Sequence, residues 1–243
     1  QERRPEPGQS LGDPRVGTGV LLQVRLYSHR LSRKALMPLG RETVLTPVLR
    51  ALKGIPAAVY ALLTDPRSVD ALQPLAEPEG FSVFVGPEED VLARYALAAQ
   101  NYDLRRIIRA TGDNPLVSAR AAEALLDIHH REDCDLSHFL DNPLGTGVEI
   151  VETRALLKAH EQARDPFERE HITTYLYRHA GEFRVGELPC PGKWAYPRAR
   201  LTLDTEEDYA LLQELFADLY GGRSIEIEEV VGWLRRHTLR AAP

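Results

Sequence analysis

From residue 20 to residue 130 the chain alternates short apolar runs with stretches of helical period, and this rhythm limits the fold more than any other feature. The runs at 20–24, 57–63, 81–85 and 106–110 are short enough for buried strands. Between them, 43–52, 69–76, 90–100 and 118–130 read as helices. In 90–100 the apolar face is Leu92, Tyr95, Ala96 and Ala99. Strands and helices taking turns at this spacing form right-handed βαβ units, so the expected fold is α/β with a mostly parallel sheet.

The second half is less regular. It predicts strands at 148–151 and 200–203 and helices at 154–163, 169–179, 206–220 and 224–236. Thr205 and Asp208 have capping-box spacing before an apolar face of Tyr209, Leu212, Leu215, Phe216 and Leu219. Residues 1–19, rich in Arg, Pro and Gly, are read as a flexible leader, and 20–243 as a single domain without internal repeats.

Composition narrows the function. Acidic residues number 36 against 30 basic, a formal charge of −6, which argues against general binding of nucleic acid. The two cysteines, Cys134 and Cys190, form no CxxC pair, which fits a reducing cytoplasm better than a disulfide scaffold. No apolar run approaches the ~20 residues of a membrane span.

Three segments carry chemistry. The first, QVRLYSHRLSRK over 23–34, follows the first strand directly. Ligands of open α/β sheets bind at the carboxyl ends of strands where the strand order reverses. Arg25, Arg30, Arg33 and Lys34 there, with the Ser28 hydroxyl, suit a triphosphate, since Arg pairs phosphate through two parallel hydrogen bonds. Alone, the segment reads as a solvated basic loop. It contains no GxxxxGK[ST] phosphate loop. The second, RATGDNPL over 109–116, delivers Asp113 at the end of a strand, with Gly112 permitting close backbone approach. A hard carboxylate in that place suits Mg²⁺, which takes one or two carboxylates plus substrate phosphates. An ordinary Asp-Asn-Pro turn is the competing reading. The third, RLTLDTEED over 200–208, places Asp204 directly after an apolar run, where it either binds metal or favours a helix N-terminus. A further dense charge cluster, DPFEREHI over 165–172, offers Arg169 and His171 to an anionic acceptor or to a dimer contact.

In consistent order, QVRLYSHRLSRKALMPL, GPEEDVLARY, RATGDNPL, GVEI, DPFEREHITTYLYR and RLTLDTEEDY resemble the cytidylyltransferase family of spore-coat polysaccharide biosynthesis protein F. That family is related to the synthetases that activate acidic sugars as CMP derivatives. The resemblance implies a Rossmann-like nucleotidyltransferase sandwich, with a mostly parallel (mixed) sheet, using CTP and Mg²⁺. It implies that Asp113 and Asp204 hold the metal and that Arg25, Arg30 and Lys34 act on the phosphates. Leu22, Gln23, Val24, Arg25, Ser28, Lys34, Arg94, Arg109, Thr111 and Gly112 would line the nucleotide, with Asp90 also at a motif position. Glu149, Arg169 and His171 would face the acceptor. A homodimer with a contact over 168–177 also follows.

Where the family has Gly, this chain has Tyr27, and Ser32-Arg33 stand in place of Pro-Gly. Gly147 replaces an acidic residue. These departures imply an altered loop and acceptor pocket, and strain at Tyr27 if its backbone needs positive φ. The reading is transfer of CMP to an acidic sugar, polyol phosphate or phosphonate. A different nucleotide on the same fold, and a nucleotide-binding scaffold without turnover, are the alternatives.

Overall fold

The computed structural model describes residues 16–27 and 31–241. Its strands are β1 (Thr18–Gln23), β2 (Pro38–Leu39), β3 (Glu42–Thr43), β4 (Val59–Thr64), β5 (Ser82–Val85), β6 (Arg106–Thr111), β7 (Leu136–Leu140), β8 (Glu149–Glu152) and β9 (Val185–Pro189). Its α-helices are α1 (Leu45–Lys53), α2 (Val69–Ala76), α3 (Val91–Asn101), α4 (Ala119–Arg131), α5 (Thr153–Gln162), α6 (Pro166–Glu170), α7 (Thr174–Arg178), α8 (Glu206–Leu219) and α9 (Ile227–Ala241). Among the described residues, no helix is long and apolar enough to cross a membrane.

One seven-stranded sheet runs in the order β5-β4-β1-β6-β8-β7-β9, and β2 pairs with β3 as a separate hairpin. The strands from β5 to β6 are parallel. Strand β8 runs antiparallel to both β6 and β7, and β7 is parallel to β9, so β8 alone is reversed. The sheet is therefore mixed but mostly parallel, as expected.

The apolar runs are continuous because the sheet is covered on both faces. Along β1, Val20 and Leu22 join a cluster with Leu49 and Leu52 of α1 and Leu125 and Leu126 of α4. Leu21, pointing the other way, joins one with Leu92 and Tyr95 of α3 and Leu156 of α5. A third cluster holds Leu39, Val44, Leu116, Leu201 and Leu203 against Leu212, Leu215 and Phe216 of α8 and Trp233 of α9.

Four expectations need correction. Residues 200–203 form no strand; the segment is an extended strap with one bridge, Leu144 to Arg200, in which Leu201 N–H donates to Leu144 O. The helix expected at 169–179 is two helices, α6 and α7. Asp165 caps α6 by accepting from Phe167 N–H, and the chain turns at His171 before α7 begins. Strands β7 and β9 escape the periodicity, because LSHFL places Ser and His among its apolar residues and VGELP carries Gly and an edge Pro. The short β2–β3 hairpin was not foreseen either. Elsewhere boundaries move by a few residues, and β1 begins at Thr18, ahead of residue 20.

Candidate active site

The strand order reverses between β1 and β6. From β1 the chain steps outward through β4 to β5, then crosses back to place β6 on the other side of β1. The crevice outside their carboxyl ends is where such sheets bind ligands. There the two strand ends come unusually close: Gly112 N–H donates to Gln23 O at 2.9 Å. A Cβ built on Gly112 would lie 2.7 Å from Val24 Cγ2, so only glycine fits without a shift.

Asp113 follows at once, and its carbonyl accepts from Leu203 N–H at 2.8 Å, which zips the 200–203 strap to the end of β6. Asp204 is thereby carried to the same point. Thr205 and Asp208 complete the expected capping box of α8, and Asp208 Oδ2 also accepts from Asp204 N–H at 2.9 Å, fixing the turn that presents Asp204. Arg200 pairs with the other oxygen of Asp204. Lys34 opens a single 3₁₀ turn, Lys34–Leu36, and inserts its Nζ between the carboxylates. It lies 2.7 Å from Asp113 Oδ2, 2.8 Å from Asp204 Oδ1 and 2.7 Å from Leu203 O.

Ser28 and Arg30 lie outside the described residues. The rest of the loop is clamped at its root. Arg33 N–H donates to Leu26 O at 2.6 Å, and Leu26 N–H donates to Ser68 Oγ at 3.1 Å. Buried Asp65 holds that hydroxyl and the Ser68 N–H. Arg33 stands at φ +57°, in the left-handed region that glycine occupies most easily. Tyr27 has no positive φ, and the strain expected there is not found; its ring packs 4.3 Å from the Arg67 guanidinium. Arg25 reaches across to Glu170 of α6 at 3.1 Å. A cavity of about 360 Å³ is lined by Gln23, Val24, Arg25, Lys34, Thr111, Gly112, Asp113, Glu170, His171 and Asp204.

A second cavity, about 380 Å³, meets the first at Thr111. Because β8 is reversed, its first residue, Glu149, registers with Arg109 of β6 beside this cavity. Arg109 donates to Glu149 at 2.6 Å, Tyr177 donates to it at 2.9 Å, and Thr173 donates at 3.2 Å. Burial opposes the charge of Arg109, yet Glu149 holds its pKa above the ordinary value. Burial, then the Glu149 charge, push the Tyr177 phenol far up, so it stays protonated. Tyr177 Oη also meets His138 Nδ1 at 2.8 Å. At Gly147 a Cβ would lie 2.9 Å from Asn142 Nδ2, so the asparagine amide fills space beside the glycine.

Several expected site residues lie elsewhere. Leu22 is fully buried, pairs with Leu62 and Ala110 in the sheet, and does not line the cavity between β1 and β6. Arg94 is also fully buried, donating to the carbonyls of Pro87 and Glu88; it shapes the loop after β5. Arg169 does not line the cavity beside Glu149. It pairs with Asp90 at 2.6 Å and donates to the carbonyls of His160 and Ala163, which anchors α6 to the start of α3. His171 lines the cavity between β1 and β6 instead, 4.3 Å from the Phe167 ring. Glu170, Asp65, Ser68, His138 and Tyr177 are additions. Thr173 and Tyr177, four residues apart on one helical face, gave a readable signal, as did the Asx-turn pattern of Asp65 and Ser68. Glu170 gave none, because its partner is remote in sequence.

The oxygens around Lys34 Nζ are two carboxylates and a carbonyl, the hard donors that Mg²⁺ takes. Among the described residues no three His, Cys, Asp or Glu side chains converge on one point. A two-carboxylate site completed by phosphate and water suits Mg²⁺ and not a metal needing a full protein cage.

Comparison with known proteins identifies the family. A family model for cytidylyltransferases matches residues 20–229. The chain is 30% identical to spore coat polysaccharide biosynthesis protein SpsF of Bacillus subtilis (strain 168), over 89% of this chain and 93% of that protein. The structure of a cytidylyltransferase from Leptospira borgpetersenii superposes with a TM-score of 0.85 at 27% identity, over 92% of this chain and 95% of the other. The fold is shared with a CMP:2-keto-3-deoxy-manno-octonic acid synthetase solved with CTP, with a TM-score of 0.62 at 17% identity, over 83% and 98% of the two chains. The chain therefore belongs to the cytidylyltransferase family.

Proposed function

We propose that this cytidylyltransferase moves CMP from CTP to an anionic acceptor (an acidic sugar, a polyol phosphate or a phosphonate) in the making of a cell-surface glycan. An acceptor oxygen bonds to the α-phosphorus, the bond from that phosphorus to the β-phosphate oxygen breaks, and pyrophosphate leaves with the electron pair. The observation that carries this reading is the convergence of Lys34, Asp113 and Asp204 at the strand-order reversal, beside a second cavity.

CTP belongs in the cavity between β1 and β6, with Arg25 and Lys34 directed at its phosphates. Mg²⁺ held by Asp113 and Asp204 would supply positive charge against the triphosphate; the fold relative Rv0371c from Mycobacterium tuberculosis has been solved as a complex with manganese. The acceptor belongs in the cavity at Glu149, Tyr177 and His138. Catalysis then rests on positioning and fixed charge. A phosphate or phosphonate oxygen needs no base at neutral pH; a sugar hydroxyl must lose its proton.

A pyrophosphate-release screen crossing CTP, UTP, GTP and ATP with acidic sugars, polyol phosphates and phosphonates tests the substrates. Release with CTP alone is expected. Asp113→Asn should abolish turnover and leave the fold intact, and full Mg²⁺-dependent release by that variant rejects the assignment. A homodimer formed through 168–177, with exposed Phe167 as its apolar point, belongs to the same proposal, and light scattering on the full chain tests it.

A further inference from the structure

The dicarboxylate already holds a cation of its own. Lys34 Nζ directs its three protons at Asp113, Asp204 and Leu203 O, and an ammonium has no further donor to offer a phosphate. The Lys34 side chain is 14% exposed, that of Asp204 13% and that of Asp113 25%, so the cluster is largely sheltered from solvent. Two carboxylates this close and this sheltered repel unless a cation lies between them.

We propose that Lys34, the cation shared by Asp113 and Asp204, is exchanged for the divalent cation as the enzyme loads, while Arg200 keeps its hold on the other oxygen of Asp204. The inference rests on the metal assignment above. A metal drawing the same oxygens to its usual ~2.1 Å leaves no room for an ammonium among them, and the two positive charges repel. The backbone of the turn is fixed by Arg33 N–H on Leu26 O and Leu36 N–H on Arg33 O, but the four-carbon stem of Lys34 swings without disturbing it. Its outward path enters the cavity lined by Gln23, Val24 and Arg25, where the phosphates belong. One exchange thus seats the metal and frees the cation that the triphosphate needs. Metal and nucleotide are thereby coupled, each strengthening the other. Without nucleotide the metal must compete with Lys34 for its ligands, and without metal the triphosphate must compete with the aspartates for Lys34.

The test is Mn²⁺ binding to the nucleotide-free enzyme, read from the paramagnetic resonance signal of free Mn²⁺. Lys34→Met keeps the length of the side chain and removes the charge, so it should bind Mn²⁺ at least about tenfold more tightly than wild type. Equal affinity overturns the exchange and leaves the metal site standing. A second measurement needs no variant. In the wild-type chain, acylation of the Lys34 amine, followed by mass spectrometry, should be slow alone and faster with saturating Mn²⁺. An unchanged rate with Mn²⁺ demonstrably bound also overturns it. If wild type takes up no Mn²⁺ with or without CTP, the metal assignment itself falls, and the exchange with it.

Discussion

The contact between Gly112 and Val24 gives the sharpest quantitative test of how β1 and β6 are held together at the site. In Gly112→Ala the new methyl would stand 2.7 Å from Val24 Cγ2 and 3.2 Å from its Cγ1. Val24 is 3% exposed and β-branched, so rotation at χ1 offers little relief, and the strand ends must part. Overpacking of this kind costs about 1–3 kcal/mol. Gly112 does not have positive φ, so alanine there recovers about 0.4–1 kcal/mol by restricting the unfolded chain. Taking the middle of each range, about 2 against about 0.7, the net loss is about 1.3 kcal/mol, or roughly 3–5 °C in Tm for a chain of this size. Asp113 is the next residue, and displacing it by a fraction of an ångström should lower kcat more than it raises KM for CTP. Calorimetry and steady-state pyrophosphate release measure both effects. The double variant Gly112→Ala/Val24→Ala removes the clash, so its stability should exceed the sum of the single effects by about 1 kcal/mol. Strict additivity, or an alanine variant with unchanged Tm and kcat, refutes the argument.

Asp208→Ala leaves the Thr205 hydroxyl capping α8 but removes the reciprocal half of the capping box, the acceptor for Thr205 N–H, together with the acceptor for Asp204 N–H; about 1 kcal/mol of stability should be lost, with a larger fall in kcat than weaker capping alone explains. Arg33→Val puts a β-branched residue at φ +57° and should destabilise by about 1–2 kcal/mol in urea unfolding, whereas Arg33→Gly should fall within about 1 kcal/mol of wild type. Burial opposes the charge of Glu152, but the contacts with His129 and Arg106 hold its pKa below 4.5. With the folded pKa depressed, that stability is present above the unfolded value and is lost as pH falls through the folded one. Acid unfolding of wild type should therefore steepen below about pH 4.5. Glu152→Gln should flatten that limb and cost roughly 3–5 kcal/mol at neutral pH, because Arg106 is left buried without its partner.

The fold was legible wherever one physical signal dominated. Continuous apolar runs marked β1, β4, β5 and β6 because helices cover both faces of the sheet, and Thr205 marked a helix start because its hydroxyl caps α8, as the Ser118 hydroxyl caps α4. Leu201 and Leu203 misled, since their burial comes from packing on α8 and not from strand pairing. The pairing of Asp113 with Asp204 was legible as two similar motifs. That Lys34 lies between them, or that Arg169 is spent on Asp90, depends on contacts between segments far apart in sequence. No local pattern encodes such contacts. At Arg33 the chain takes a conformation that glycine favours without the glycine, so residue identity alone concealed the geometry.

The reversal of β8 has a consequence for how this scaffold divides labour. In an all-parallel sheet, both substrate sites would be built by segments leaving strand ends. Here the cavity beside β8 takes Glu149 from where a strand begins, with Asp141, Asn142, Leu144 and Gly145 of the connection leading into it. The cavity at the strand-order reversal draws instead on the segments leaving β1 and β6. If the first takes the acceptor and the second CTP, as proposed above, changes over 141–148 would retune which acceptor is taken and leave the nucleotide side as it is, making this connection the natural place to graft a new acceptor preference.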